Sequence, residues 1–560
     1  MHKKLKPLHH GRHGWLLLLG VLQQFLLPVQ TLAATGSDVT ESLRLQVRAL
    51  RPGGEPSGAD PVATRLVARI YERRGFTPAW SQPGQIRSLA EAVAASASDG
   101  LDPDEYQLNR IRDASSLLER GETISPADRA KLDLMLTDSI IRLAYHQRFG
   151  KTDPQTLKPR SSFFEKLDDD DPATSILRVI DSGEIATTLE SSLPRNDSYR
   201  RLRSALARYR MIADSGGWPQ VADGPTLMPG VANNRLSALA RRLRIGGDLT
   251  DSDAYTNGAT YDETLQAGVR RFQARHGLEV DGLVGERTLT ALNISAPERV
   301  DQIRVNLERA RWILDAQEDE SVLVNIAGFQ AFFVRDREVV WAAKVQVGET
   351  DHQTPVFRSR IERLVFNPKW TVPRSIATEE MLPEIKNDTG YLRAGDYDLY
   401  KPDGVLIDPD DVDWPTINEH NFDFTIVQRP GPGNALGRIK FEFPNEYSVY
   451  LHDTPSKALF DRAHRACSHG CIRLESPLEL ANTLLEGSRW QRDEIDSLIA
   501  DGETWTVSLT RPVPILIQYW TAEVASDGTV YFYDDIYERD KPIIDALNSP
   551  YSGSGITDSP

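Results

Sequence analysis

Cysteine is scarce in this chain, which holds only Cys467 and Cys471 among its 560 residues. Their Cys-x-x-x-Cys spacing around a tight turn is poor for the geometry that a disulfide needs. Taken together with His452, His464 and His469, the two cysteines match no common zinc-binding spacing. The sequence therefore predicts no structural disulfide and no metal site, although an oxidised resting pair of the two cysteines stays open.

The chain also lacks an excess of positive charge, since its formal net charge is −16 at pH 7. Proteins that bind nucleic acid usually carry a basic patch or stripe, and nothing in this composition argues for one. We therefore predict no nucleic-acid partner. An acidic surface keeps a protein soluble and by itself names no other partner.

Long apolar runs are missing after the N-terminus, so no later segment is predicted to cross a membrane. The N-terminus itself has a basic segment over 1–14, an apolar run over 15–27, and small residues at Thr31, Ala33 and Ala34. This order is typical of a secretory signal peptide, and we predict a signal peptide or an uncleaved signal anchor over residues 1–34. No cysteine lies near the cleavage site, which excludes a lipoprotein. Any membrane contact is expected only through the anchor.

What the sequence does contain is a dense stretch over residues 450–474, YLHDTPSKALFDRAHRACSHGCIRL, which holds both cysteines and three histidines. A thiol is a good nucleophile only as thiolate, and a nearby imidazole makes the thiolate accessible near neutral pH. His452 ends an apolar, strand-like run and can return against Cys471 on a following turn. Gly470 permits a tight turn whose backbone N–H groups face one point. These are the nucleophile, base and oxyanion donors of an acyl-transfer site.

The order HDTP, a long step and SHGCIR resembles the active-site signature of the L,D-transpeptidases, the YkuD-type cysteine enzymes of bacterial cell walls. The resemblance implies that Cys471 is the nucleophile and His452 the base. Backbone N–H groups around Gly470 would then bind the oxyanion. His469 would shape the turn and is the alternative base. A buried structural cysteine beside satisfied histidines is the competing interpretation.

Five further side chains are predicted to contact the substrate. Arg473, two residues after the nucleophile, could hold a substrate carboxylate through a forked contact, and a structural salt bridge is the alternative. Asp453 and Ser468 either orient the base or line the pocket. Tyr450 and Trp370 are candidate pocket walls, and equally candidate core residues.

The predicted fold class is multidomain α+β, and it combines a β-rich catalytic domain with helical units. Helical spacing begins near residue 61, and strand-like alternation marks 321–326, 330–334, 339–347, 360–366 and 447–451. The predicted units are a linker over 35–60, a helical scaffold over 61–230, a peptidoglycan-binding domain over 231–296, a scaffold return helix over 297–320, a catalytic domain over 321–510 with a lid over about 374–437, and C-terminal strands with a disordered tail over 511–560.

Two of these units rest on resemblance. The segments YERRGFTPAW, DGLDPDEY and LTDSIIRLAYHQRFGK resemble the helical scaffold ahead of the catalytic domain in large Gram-negative L,D-transpeptidases. AGVRRFQARHGLEVDGLVGERTLTALN resembles the small three-helix peptidoglycan-binding domain. Both ends of that small domain lie in loop-like sequence, so we expect it to be removable without exposing the catalytic core. Its predicted core comprises Val269, Phe272, Leu278, Val284, Thr288, Leu289 and Leu292.

The resemblance implies a periplasmic, wall-associated enzyme of cell-wall biogenesis and cell shape that needs no cofactor. It would take a tetrapeptide stem, release D-alanine and form a 3–3 cross-link between diaminopimelate residues. Peptidoglycan stem peptides are the expected substrates, penicillin-binding proteins are candidate partners, and carbapenems are expected to acylate Cys471. Three alternatives stay open: an L,D-carboxypeptidase, an enzyme that attaches or releases a lipoprotein on the wall, and a catalytically dead wall-binding scaffold.

Overall fold

The computed structural model of the chain describes residues 36–50, 63–152, 171–250, 260–313 and 318–549. Within these ranges, no helix is both long and apolar enough to cross a membrane. The signal peptide or anchor predicted over 1–34 and most of the predicted C-terminal tail lie outside the described residues.

Helices dominate the part of the chain before residue 313. They are α1 (Gly36–Ala49), α2 (Thr64–Arg73), α3 (Pro83–Ala95), α4 (Leu108–Glu119), α5 (Pro126–Phe149), α6 (Pro172–Ser182), α7 (Ile185–Ser191), α8 (Asp197–Asp214), α9 (Leu236–Gly246), α10 (Glu263–Arg275), α11 (Glu286–Asn293) and α12 (Ala296–Ile313). Apolar residues at three- and four-residue steps give α2 one buried face, with Leu66, Val67 and Ile70 on it, whereas the central part of α5 is buried all round. Helices α1 to α7 share one core, in which the Tyr71 hydroxyl donates to Asp133 Oδ1 at 2.6 Å.

The flexible linker predicted over 35–60 is wrong for its first part, where α1 forms. Val39, Leu43 and Val47 follow one another at four-residue steps and are buried in the core shared with α2 to α7. This spacing puts all three on one helix face, and tertiary packing of that face stabilises a helix of otherwise polar composition. Residues 51–60 lie outside the described residues.

The region predicted to bind peptidoglycan contains α9, α10 and α11 around a core of its own. All seven residues predicted to form this core are buried, which confirms that prediction. The turn before α11 depends on Gly282, whose φ of 75° favours glycine. The Gly282 N–H donates to Gln273 Oε1 at 2.8 Å, so α10 holds this turn in place.

The three-helix unit, which is predicted to be removable without exposing the catalytic core, is packed against other parts of the protein. His276 stacks on Phe272 within the unit and on Phe532 outside it, with ring centroids 3.7 and 5.7 Å apart. Arg275 also donates to the Val530 carbonyl at 3.3 Å. Glu279 Oε1 accepts from the Ala463 N–H at 2.9 Å. Removal of the unit would therefore expose apolar surface and unpaired polar groups in its neighbours.

The C-terminal half is built on β-strands. They are β1 (Glu320–Asn325), β2 (Gln330–Arg335), β3 (Glu338–Gly348), β4 (Phe357–Phe366), β5 (Trp370–Thr371), β6 (Tyr397–Tyr400), β7 (Leu406–Ile407), β8 (Thr425–Gln428), β9 (Ile439–Glu442), β10 (Leu451–His452), β11 (Ala466–Ser468), β12 (Ile472–Leu474), β13 (Trp505–Gln518), β14 (Ala522–Val524) and β15 (Val530–Phe532). Among the described residues, nine strands form one mixed sheet in the order β11-β3-β12-β10-β9-β4-β13-β1-β2. The sheet closes on itself, because β3 pairs with β2 along its first part and with β12 near its end.

Two predicted boundaries in this half differ from the structure. The boundary at residue 510 falls inside β13, which pairs with both β1 and β4, so the sheet of the catalytic domain continues past it. The strand predicted over 447–451 is reduced to Leu451–His452. Ser448 has a left-handed φ of 56°, and Asn445 Oδ1 accepts from the Tyr447 and Val449 N–H groups. This local turn competes with strand pairing.

The insertion predicted as a lid is a small folded unit in its own right. Strands β5 to β8 form a separate four-stranded sheet in the order β5-β8-β6-β7. A π-helical segment (Ile376–Met381) leads into α13 (Leu382–Asn387), and α14 (Tyr391–Ala394) follows. The unit has its own apolar core around Trp414 and Phe422. The remaining helices of the C-terminal half are α15 (Pro477–Leu484), α16 (Arg492–Asp501) and α17 (Asp540–Asn548).

We predict that Trp218→Ala lowers the stability of the protein by about 3–5 kcal/mol, as is typical for loss of a buried tryptophan. Trp218 is 8% exposed, its Nε1 donates to the Ile294 carbonyl at 3.0 Å, and the Arg242 guanidinium lies 3.8 Å from its ring centroid. The substitution would leave that guanidinium buried beside a cavity. Thermal unfolding of the full chain measures the effect. Trp505→Ala, at a 44% exposed position, is the control, and an equal loss from both variants would contradict the prediction.

Candidate active site

The pairing of β10 with β12 brings the predicted nucleophile and base to one face of the sheet. These strands run parallel, with Leu451 opposite Ile472 and His452 opposite Arg473. Leu451 and Ile472 are fully buried in the core inside the closed sheet. Because side chains alternate along a strand, the residues next to them, among them Cys471, point to the outer face with His452.

Cys471 follows a turn that several hydrogen bonds fix. Gly470 has a φ of 104°, in the left-handed region that favours glycine. Ser468 Oγ donates to the Cys471 carbonyl at 2.6 Å and accepts from the Gly470 N–H at 3.2 Å. Thr354 Oγ1 donates to the Gly470 carbonyl at 2.9 Å. The turn therefore has one conformation, and Ser468 maintains it instead of orienting the base.

This arrangement decides which backbone groups are free to bind an oxyanion. The Gly470 N–H is already paired with Ser468 Oγ. Among the hydrogen bonds of the described residues, the Cys471 N–H has no partner. The Cys471 N–H is thus the backbone donor that the turn leaves available beside the thiol.

His452 is buried, with 4% of its surface exposed, and its ring is held by the backbone. Its Nδ1 lies 2.5 Å from the carbonyl oxygen of Asp453. A carbonyl can only accept a hydrogen bond, so Nδ1 carries the proton and the neutral ring has its lone pair on Nε2. Burial, and then the nearby positive charge of Arg473, lower the pKa of His452 to about 3. The imidazole is therefore neutral near pH 7.

The Cys471 thiol is partly exposed, and its Sγ lies 3.8 Å from the Ser448 carbonyl oxygen. Burial raises the pKa of this thiol, while the Tyr450 N–H, Arg473 and Lys440 act in the opposite direction. The pKa shifts favour a resting pair of neutral thiol and neutral imidazole. His452 would then take the proton during attack, whereas the sequence suggested that it holds a thiolate in advance.

Two cations lie on either side of His452 on the outer face. Sheet register places Gln346, Arg473, His452 and Lys440 in one row across β3, β12, β10 and β9. Arg473 Nη1 donates to Gln346 Oε1 at 3.2 Å, while its buried Nε has no hydrogen-bond partner among the described residues. Lys440 Nζ lies 3.7 Å from the ring centroid of Tyr450. The row offers two positive groups to an anionic ligand beside the thiol.

Three family models match separate parts of the chain. Residues 319–495 match the family model described as the L,D-transpeptidase catalytic domain, named YkuD. The chain carries a YkuD-type L,D-transpeptidase catalytic domain. Residues 65–206 match a scaffold domain, and residues 233–292 match a model described as "Putative peptidoglycan binding domain". The predicted family resemblance and the multidomain α+β fold class are confirmed.

A relative from Haemophilus influenzae, described as "Putative L,D-transpeptidase", is 32% identical over 242 residues. This alignment covers 43% of the chain and 48% of the relative, so the chain spans about half the length of the relative it matches. Two solved L,D-transpeptidase structures are each 14% identical to the chain. The structure from Xylanimonas cellulosilytica has a TM-score of 0.18 and covers 53% of the chain and 100% of its own length. The structure from Stackebrandtia nassauensis has a TM-score of 0.21, with 54% and 96% covered.

Not all side chains predicted to bind substrate lie at this face of the transpeptidase domain. Trp370 is in the lid sheet and packs against the lid core, with its ring 6.5 Å from that of Tyr397. The buried carboxylate of Asp453 accepts from Lys457 Nζ at 2.6 Å and from the Arg438 N–H at 2.9 Å. Asp453 thus orients His452 through its carbonyl, and its side chain fixes the surrounding loop.

The other residues of the motif that were considered from the sequence have different surroundings. They are two histidines and the second cysteine. His469 is exposed, and its Nε2 lies 2.6 Å from Glu380 Oε1 on the lid. The His464 ring packs edge-on against Phe329. Cys467 is a free thiol beside Gln346, with Sγ 3.6 Å from Oε1, and Cys471 is also free. The oxidised pair considered from the sequence is not present in this structure.

Sequence reasoning missed Gln346 and Lys440 as members of the active-site row. Lys440 stands at a polar position of β9, where buried and half-buried residues alternate, whereas Gln346 is itself buried in a part of β3 whose burial does not alternate. That alternation predicts an outward-facing side chain but not which neighbouring strand it meets. Thr354, which fixes the turn, lies on the loop after β3 and carries no sequence signal that points to this role.

We predict that alkylation of Cys471 by iodoacetamide accelerates about tenfold for each pH unit up to above pH 9, because only the thiolate reacts and burial raises the thiol pKa. The measurement is the alkylation rate between pH 6 and 10, followed by mass spectrometry. A Cys467→Ser background removes the second thiol, and Cys467→Ser with Cys471→Ser serves as the blank. A rate that is already high and flat between pH 6 and 8 would show a preformed thiolate and contradict the prediction.

Proposed function

We propose that the protein is a periplasmic, wall-associated peptidoglycan L,D-transpeptidase that forms 3–3 cross-links through a Cys471 acyl-enzyme. The observation that carries the proposal is the shared outer face of β10 and β12, which holds a partly exposed thiol and a neutral imidazole with its lone pair on Nε2. The transpeptidase, scaffold and peptidoglycan-binding domain matches support a cell-wall substrate.

In the first half-reaction, Cys471 Sγ attacks the carbonyl between diaminopimelate and the terminal D-alanine of a tetrapeptide stem. His452 Nε2 takes the thiol proton as the S–C bond forms, and the Cys471 N–H donates to the developing oxyanion. Collapse of the tetrahedral intermediate breaks the C–N bond. His452 returns the proton to the leaving amine, so D-alanine departs and a thioester remains.

In the second half-reaction, the side-chain amine of another diaminopimelate attacks the thioester. His452 takes a proton from this amine, the C–S bond breaks, and the thiol regains its proton from the imidazolium. Arg473 and Lys440 are proposed to hold a carboxylate of one of the stem peptides, because both lie beside the base and Arg473 Nε is unpaired there. Exclusion of water by the lid would favour the amine acceptor over hydrolysis.

The first test separates the two cysteines. Cys471→Ala is expected to abolish cross-linking and covalent carbapenem adducts, while Cys467→Ala keeps most of both, because only Cys471 lies on the turn beside His452. Incubation with tetrapeptide muropeptides followed by mass spectrometry detects 3–3 dimers directly. Tripeptide product without dimers would indicate an L,D-carboxypeptidase. Equal inactivation by both substitutions would mean that the cysteines act together, against the proposed mechanism.

The second test identifies the base. His452→Ala should slow acylation of Cys471 by about 10²–10⁴-fold, the usual contribution of general acid–base catalysis. His469→Ala should cost much less, because its imidazole pairs with Glu380 of the lid. Single-turnover rates of carbapenem acylation compare the variants without requiring an acceptor. If both substitutions slowed acylation to a similar extent, the assignment of His452 as the base would be wrong.

A further inference from the structure

Three potential metal ligands cluster at the mouth of the active site, outside the proposed chemistry. They are Glu349 and His352, on the loop after β3, and His469, on the nucleophile turn. One ligand atom of each lies within 4.8 Å of the others. His352 Nδ1 is 3.3 Å from Glu349 Oε1, and the two histidine rings are 4.9 Å apart. All three side chains are exposed, so an ion from solution can reach them.

The backbones that carry these ligands are fixed relative to each other. The Glu349 N–H donates to the Ser468 carbonyl at 2.9 Å, which joins the loop to the turn. Thr354 Oγ1 accepts from the Gly348 N–H and donates to the Gly470 carbonyl, both at 2.9 Å. The ligand set is therefore held by a rigid frame, and only side-chain rotation is needed to close it.

The lid supplies a fourth group, Glu380, which lies in the π-helical segment and pairs with His469 Nε2 at 2.6 Å. This pairing leaves Nδ1 of His469 for a metal. A histidine that binds a metal usually donates its other ring N–H to a carboxylate, which orients the ring and raises its basicity. Glu380 stands in that outer position, so it would connect the lid to a metal held by the catalytic domain.

We propose that Glu349, His352 and His469 bind a Zn²⁺ ion, with Glu380 orienting His469, and that the ion holds the lid against the nucleophile turn. Two imidazoles and one carboxylate are a common donor set for Zn²⁺, with a fourth position for water. Tetrahedral ligands at about 2.0–2.1 Å from zinc lie about 3.4 Å apart, so the exposed side chains need to move inward by about 1–1.5 Å. Neither the binding of the ion nor its attachment of the lid depends on the proposed function.

Zn²⁺ titration of the full-length, chelator-treated protein tests the site, with isothermal calorimetry for affinity and Co²⁺ absorption for geometry. His352→Ala is expected to weaken Zn²⁺ binding by at least about tenfold, and Glu380→Gln by about tenfold. His420→Ala, a change at an exposed lid histidine outside the cluster, should bind like the unmodified chain. Cys471→Ser should also retain the affinity, because the thiol is not a ligand.

Two outcomes would overturn the zinc site. Unchanged binding by His352→Ala would place the ion elsewhere, and lost binding by Cys471→Ser would place it on the thiol. Amide hydrogen exchange tests the connection to the lid. Zn²⁺ should slow exchange over residues 376–387 in the unmodified chain and have at least about tenfold less effect in Glu380→Gln at equal site occupancy. Equal protection in both proteins would remove Glu380 from the proposal. None of these measurements depends on enzymatic turnover. A result against the proposed function would therefore be distinguishable from a result against the zinc site.

Discussion

The short parallel pairing of β10 with β12 is the constraint on which the active site depends. Leu451 and Ile472 fix the register because both are buried in the core, and a slip of one residue would turn them outward and carry Cys471 and His452 inward. Strands of two and three residues make few hydrogen bonds of their own. Their position therefore relies on β3 and β9 at either side, and ultimately on closure of the whole sheet. The turn before Cys471 is fixed separately, through the side chains of Ser468 and of Thr354 on the loop after β3.

Electrostatics at this face balance two needs. Burial removes water from His452 and keeps its imidazole neutral, which preserves a base with its lone pair on Nε2. The same burial raises the pKa of the Cys471 thiol and would leave it unreactive, but Arg473 and Lys440 oppose that shift. The two cations thus serve the nucleophile even before a ligand arrives. They also help to keep the imidazole neutral, because a protonated ring would add a third positive charge to the row.

How far the sequence predicts this site depends on whether the information is local. Cys471 and His452 could be identified because their chemistry and spacing lie within one continuous motif. Lys440 could not be identified, because it reaches the site only through the pairing of β9 with β10, and the sequence does not show which strands pair. Asp453 was assigned to the right neighbourhood, but through its carboxylate instead of its carbonyl, since backbone geometry leaves no residue signature. The helix α1 was missed because three apolar residues carry its buried face within a polar stretch.

The buried histidines have a consequence for the whole molecule when the medium turns acid. His452 near the thiol and His276 in the three-helix unit are both held neutral, His276 by burial and by Arg275 and Arg299. In the unfolded chain each would take up a proton near pH 6.5, whereas in the folded protein neither does until far lower pH. Unfolding is therefore coupled to proton uptake, and each histidine costs about 1.4 kcal/mol of stability per pH unit below 6.5, down to its folded pKa of about 3 for His452. Burial keeps His452 neutral and available as a base. Burial of His452 and of His276 thus makes both the catalytic domain and the three-helix unit sensitive to acid.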